Sequence, residues 1–388
     1  MGEGILRILI YSDHFFPSVG GSENYALDLA TELTKQGLEV GVITTDKAFY
    51  KDEFSFQTFR LRRPFSPHRV GPNFLETPGI IKHFQPDIFH INYQTGGENL
   101  LIPILKIMKI PFVITYHADH VIILGKMIDE LQLISTFRLA SMIMVQSERD
   151  EKKFKMRGIQ MGKLRLIRFS GIDTEKYKCL PKGFFHNETI KLLCIARLDD
   201  SHKYKGIYEL IEGIKSIRNE EMTFKLSLNI IGDGNLRTFY EEQCKAAKLD
   251  NIQFLGDLNF DDLLYQICQA KFLILPSIDK AEGFGRVVLE ALSCGTPVIV
   301  SKYAGIAELI TKYNAGIVYN PKDYGSLINV LRIFANEEGK VKQLSTNGKK
   351  LLVGERLSIS DTTKRVIEIY YDLKNYKSSL VYKKLFKT

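Results

Sequence analysis

The chain repeats one grammar in both halves: a short apolar run, a polar turn, then apolar positions at helical spacing. Residues 6–11 (LRILIY) read as a buried strand, 12–21 as a loop, and 22–36 as a helix that Gly37 ends. Residues 40–44, 88–91, 112–115 and 142–145 are further apolar runs of the kind that parallel strands, covered on both faces, require. The pattern restarts at 191–196 (KLLCIA), with a helix over about 206–217 and strands over 226–231, 252–254, 272–275 and 297–300. Two doubly wound parallel α/β domains are the expectation, 1–172 and 173–355. The seam falls within 173–187, where Pro181, Gly183 and a run of polar residues break the pattern. From 356 the chain is helical to about Asn375 and then basic.

Charge changes this picture little. The formal net charge is +8, divided as +3 over 1–172, zero over 173–355 and +5 over the last segment. The excess therefore sits on a tail, which argues against nucleic acid as a partner. The tail lysines 374, 377, 383, 384 and 387 alternate with Tyr376, Leu380, Val381, Tyr382, Leu385 and Phe386, a composition that suits an anionic membrane surface as well as a solvated tail. No apolar run approaches the roughly 18 residues needed to cross a bilayer, and the first ten residues lack a secretory pattern, so a cytoplasmic protein is expected. The five cysteines (179, 194, 244, 268, 294) show no Cys-x-x-Cys spacing and read as small apolar filler in a reducing compartment.

In parallel α/β sheets ligands meet the loops that follow strands. The most informative loop is 276–290, PSIDKAEGFGRVVLE. Gly283 and Gly285 allow close backbone approach, amides at the following helix start suit phosphate oxygens, and Glu282 and Glu290 can take hydrogen bonds from hydroxyls. From the residues alone this is an anion-plus-sugar site. Between 196 and 206 (ARLDDSHKYKG), Arg197 offers a planar fork of donors and Lys205 a compact charge at the helix entry, a pairing suited to diphosphate, with Lys203 as an alternative to Lys205.

Glu282 and Glu290, with seven residues between them and Gly-Phe-Gly inside, resemble the E-x7-E signature of glycosyltransferase family 4. The resemblance spans residues 6 to about 355, densest in the second half. It implies a GT-B fold: two Rossmann-like domains facing a cleft, with a C-terminal helix crossing back over 356–388. It further implies that Glu282 binds donor-sugar hydroxyls, that amides of Phe284, Gly285, Arg286 and Val287 bind sugar or diphosphate, and that Glu290 holds the ribose. Arg197 and Lys205 resemble the pair that neutralises a departing nucleoside diphosphate. Gly232, in IGDGN, resembles a base- and ribose-side loop, though a plain tight turn accounts for it nearly as well. Gly20 and Gly21, in FPSVGGSE, resemble the N-domain glycine loop that faces the diphosphate across the cleft. His117, in TYHADH, matches the histidine near the reaction centre; His117 with His120 lacks an identifiable third metal ligand.

The implied activity is transfer, with retention, of a sugar from a nucleoside-diphosphate sugar to a hydroxyl acceptor (glycan, lipid-linked sugar or lipid), by a hexosyltransferase-class enzyme. No Asp-x-Asp pair occurs, so neither a bridging metal nor another cofactor is expected. Two rivals share the motifs: a nucleotide-sugar epimerase of the same fold, and a non-catalytic nucleotide-sugar-binding subunit of a membrane complex.

Overall fold

A computed structural model describes residues 5–18, 20–46, 54–61, 76–93, 97–117, 126–168, 170–179, 189–217, 224–335 and 337–378. His120, Pro181, Gly183 and the tail from 379 onward lie outside the described residues. The chain divides into two compact units, Met1–Gly171 with Ile359–Thr388, and Ile172–Ser358.

Among the described residues the first unit holds seven strands: β1 Arg7–Ser12, β2 Glu39–Thr44, β3 Gln57–Arg60, β4 Ile88–Tyr93, β5 Phe112–Tyr116, β6 Met142–Val145 and β7 Leu164–Leu166. They pair in parallel in the order β3-β2-β1-β4-β5-β6-β7. Alternate residues of each strand point to opposite faces. Leu9, Tyr11, Phe89, Ile91, Phe112 and Ile114 build one core, while Ile8, Ile10, Val40, Val42, Ile88 and Val113 build the other. Both faces are thus covered, which is why the central strands read as unbroken apolar runs. The second core is closed by two helices from opposite ends of the chain. Gly21–Lys35 supplies Tyr25, Ala26, Leu29, Ala30 and Leu33, and Ile359–Ser378 supplies Val366, Ile369 and Tyr370.

The second unit holds β8 Thr189–Ile195, β9 Lys225–Ile231, β10 Ile252–Gly256, β11 Phe272–Leu275, β12 Val298–Ser301 and β13 Gly316–Tyr319, parallel in the order β10-β9-β8-β11-β12-β13. Its two cores split the sheet in the same way, Leu192, Cys194 and Phe272 on one side and Leu193, Leu273 and Leu275 on the other.

The reading of all five cysteines as apolar filler needs correction. Cys194 and Cys244 are buried thiols within an apolar core, but Cys179 and Cys268 are disulfide-bonded, with Cα atoms 5.8 Å apart. They stand 89 residues apart in sequence, so no local spacing could announce the pair. Among the described residues no helix is long and apolar enough to cross a membrane.

Candidate functional site

Each sheet reverses its winding once, between β1 and β4 in the first unit and between β8 and β11 in the second. In open α/β sheets such a switch point opens a crevice at the carboxyl ends of the strands. In the second unit the loops leaving β8 and β11 carry Arg197, Lys205 and Glu282, and the second leads into the helix that bears Glu290.

These loops are stitched together by backbone. The Ile278 amide donates to the Tyr204 carbonyl at 2.8 Å. Gly206 adopts φ +73°, and a Cβ there would lie 2.3 Å from the Pro276 carbonyl oxygen, so only glycine admits this approach. The result is a Lys205–Glu282 contact. Lys205 Nζ donates to Oε1 at 3.1 Å and to Oε2 at 2.8 Å, and Ser277 Oγ donates to Oε2 at 2.5 Å. Glu282 is 4% exposed. Burial works to lower the Lys205 pKa, but the adjacent Glu282 carboxylate, together with Tyr204 and Cys194, holds the ammonium above the usual lysine value. Lys203 instead pairs with Asp200 at 2.7 Å on an exposed surface, so Lys205 is the lysine that faces the motif.

Arg197 follows β8 directly and is half-buried. Its charge acts on Asp199: burial works to raise that carboxyl, hydrogen bonds from Ser201 and His202 bring it below the ordinary carboxylate range, and Arg197 adds to the lowering. The Arg197 loop rests on the Gly232 loop. The Ala196 amide donates to the Ile231 carbonyl at 3.0 Å and the Leu198 amide to the Asp233 carbonyl at 2.9 Å. Gly232 has φ +124°, and a Cβ would lie 2.0 Å from the Ala196 oxygen. The tight-turn reading and the site reading of Gly232 therefore meet in one place, because the turn positions the Arg197 segment.

Beyond Glu282 the chain passes Gly283, whose carbonyl accepts the Gly305 amide at 2.8 Å, and Phe284, which is 4% exposed in the core. Gly285, at φ +87°, then turns it into the helix Arg286–Ser293. No side chain caps that helix start, so the amides of Arg286 and Val287 head a helix of the kind that binds anions. One turn in, Glu290 is 4% exposed, with Arg286 Nε 3.5 Å from its Oε1.

In the first unit, the loop after β1 ends at Gly20, the N-cap of Gly21–Lys35, again without a side-chain cap. An added Cβ at Gly21 would meet nothing within 4 Å. His117 follows β5, is 7% exposed, and packs edge-on against Tyr25 with ring centroids 5.1 Å apart. Its Nε2 contacts Asn92 Oδ1. Asn92 Nδ2 donates to Ser12 Oγ at 2.9 Å and to the Ser22 carbonyl at 3.1 Å, which leaves Oδ1 as the acceptor and assigns the proton to His117 Nε2. This network ties the carboxyl ends of β1, β4 and β5 to the start of the first helix.

Sequence reasoning missed Asn92, Ser12, Tyr25 and Ser277. The one available signal was position: Asn92 is a polar residue next to the carboxyl end of β4.

The family model described as "Glycosyltransferase Family 4" matches residues 19–176, and "Glycosyl transferases group 1" matches residues 180–351. An uncharacterized glycosyltransferase of Methanocaldococcus jannaschii is 24% identical over 95% of this chain and 99% of its own. The alpha-monoglucosyldiacylglycerol synthase of Streptococcus pneumoniae is 26% identical over 81% of this chain and 75% of its own. Anabaena HepE, solved in complex with UDP and glucose, superposes with a TM-score of 0.77 at 19% identity, covering 95% of this chain and 100% of that one. With both halves matched by glycosyltransferase models and both sheets in the fold of such structures, the chain is a glycosyltransferase of the GT-B class.

Proposed function

We propose that the chain transfers a hexose, with retention, from a nucleoside-diphosphate sugar to a hydroxyl acceptor, and that no metal takes part. The observation that carries this reading is the buried Lys205–Glu282 contact at the switch point of the second unit, beside Arg197 and a helix start without a side-chain cap. Fixed cations at that position neutralise a departing diphosphate without reorganising during the reaction, which is the most effective form of electrostatic catalysis. Glu282 keeps Lys205 charged and aimed, and presents a carboxylate edge to the donor sugar. Glu290 takes the ribose hydroxyls, and the amides of Phe284, Gly285, Arg286 and Val287 take diphosphate oxygens. The leaving phosphate accepts the acceptor proton, so the first unit needs no general base; His117 acts near the reaction centre, and Gly20 and Gly21 approach the diphosphate.

HepE is solved with UDP and glucose, and the pneumococcal relative is by name a diacylglycerol glycolipid synthase. Together they favour a UDP-sugar donor and a lipid or lipid-linked acceptor at the cytoplasmic face of a membrane. The relatives reported above are transferases or synthases by name and lend nothing to the epimerase or binding-subunit readings.

The test is a panel of radiolabelled nucleotide sugars incubated with and without lipid and glycan acceptors in excess chelator. Label moving to acceptor with α configuration retained is the expected result. Inversion, or activity that returns only with magnesium or manganese, overturns the mechanism.

A further inference from the structure

The three cysteines that gather in the second unit play no part in the transfer chemistry. Cys179 lies on the segment that follows Ile172, Cys268 near the end of the helix Phe260–Gln269, and Cys294 caps the C-terminus of Arg286–Ser293. Their Sγ atoms all lie within 4.8 Å of one another. Cys294 is 5% exposed, while Cys179 and Cys268 are half-buried and so leave a path from solvent.

The elements around them are laced together. Ser293 Oγ donates to the Tyr177 carbonyl at 2.8 Å, the Tyr177 and Phe260 rings meet edge-on at 5.3 Å, and Lys176 Nζ lies 4.5 Å from the Phe260 ring centre. The positions of the three sulfurs are therefore held by their surroundings as well as by the Cys179–Cys268 bond.

We infer that, once the Cys179–Cys268 disulfide is reduced, Cys179, Cys268 and Cys294 form a three-thiolate site for a thiophilic cation such as zinc. Zinc–sulfur bonds of about 2.3 Å place the sulfurs of one ion about 3.8 to 4.0 Å apart, so the three sulfurs can share an ion once reduction lets Cys179 and Cys268 part. Hard, oxygen-seeking cations such as magnesium gain nothing from three sulfurs, which fixes the chemical class. The steps balance. A dithiol reductant becomes a disulfide and gives two electrons and two protons to Cys179 and Cys268; the cation then displaces three thiol protons into solvent. Cys294 connects this site to the donor loop, since its amide donates to the Glu290 carbonyl at 3.1 Å, so an ion bound there pins the end of the helix that bears Glu290. Only this last consequence rests on the donor-site reading.

The experiment uses the full chain, reduced, freed of reductant under anaerobic conditions, and titrated with zinc and then cadmium. One saturating equivalent is expected, with an ultraviolet thiolate-to-cadmium charge-transfer band that grows as cadmium displaces zinc. The disulfide-bonded chain should bind at least tenfold more weakly, as should Cys294→Ser, whereas Cys194→Ser, in the other core of the same unit, should bind as the parent does. Should Cys294→Ser fail to fold, alkylation of the parent followed by mass spectrometry reads the same point: zinc should protect Cys179, Cys268 and Cys294 together. Equal binding by the oxidised chain, an unaltered Cys294→Ser, or zinc that leaves any of the three as reactive as before would overturn the proposal.

Discussion

At the scale of the residue, the account turns on a lysine and a glutamate that are both largely out of water. The Lys205 and Glu282 side chains are 19% and 5% exposed. Removing one partner of such a pair strands the other charge, at a cost of about 3 to 5 kcal/mol, whereas replacing both with apolar groups is often neutral. Lys205→Met should therefore lower the thermal midpoint markedly, and Lys205→Met/Glu282→Leu should recover most of that loss while staying inactive. A double variant that transfers sugar at the parent rate would remove the pair from the chemistry. Both residues were legible because each stands just past an apolar run, where strand-end loops begin. Ser277, which also donates to the carboxylate, carried no such mark, since a serine five residues before a glutamate is common in any loop. The thiol chemistry of Cys179 and Cys268 was illegible for a different reason: it depends on a tertiary contact across 89 residues.

At the scale of the element, loops are held by backbone approaches that only glycine permits. Gly232 lies under the Arg197 segment, so Gly232→Ala combines a strained φ with a collision against the Ala196 carbonyl. A loss of at least about 1 to 3 kcal/mol is expected, together with weaker donor binding as the Arg197 loop lifts. Denaturant unfolding and a nucleotide titration of the same variant check both, and unchanged values in both would show that the loop tolerates a side chain there. Central strands were readable from their apolar runs, and most observed bounds fall within two residues of the expected ones. β3, β7 and β13 were not foreseen. Each lies at the edge of its sheet, is three or four residues long and leaves most positions partly exposed, so none has the continuous apolar run that marks a buried strand. In the last of these, Gly316–Tyr319 pairs with β12 although it opens on a glycine.

At the scale of the whole molecule, the parallel topology of both sheets was legible because a doubly wound fold writes the same grammar along the entire chain. The basic tail is harder to interpret, because its Lys374 and several cations of a second basic stretch, residues 152–168 of the first unit, already have partners. Lys374 Nζ lies 3.3 Å from Asp87 Oδ2, Arg168 pairs with Glu148 at 2.5 Å, and Lys155 with Glu151 at 3.0 Å. Lys153 donates to the Tyr116 hydroxyl at 2.7 Å, and burial pushes its pKa down to about 7. Any attraction to anionic lipid therefore rests on residues beyond Asp372 other than Lys374. Sedimentation with anionic and neutral liposomes should show the full chain pelleting with anionic lipid at low salt and a chain stopped after Asp372 remaining in solution; equal behaviour would leave the tail no membrane role. The central claim, that the second unit binds a nucleoside diphosphate through fixed cations, has a more direct measurement. Calorimetric titration of the parent and of Arg197→Ala with UDP, GDP and ADP under excess chelator should show one nucleotide saturating the parent at a single site and binding Arg197→Ala at least tenfold more weakly. A parent chain that binds none of the three, or an Arg197→Ala variant that binds as tightly as the parent, would contradict it.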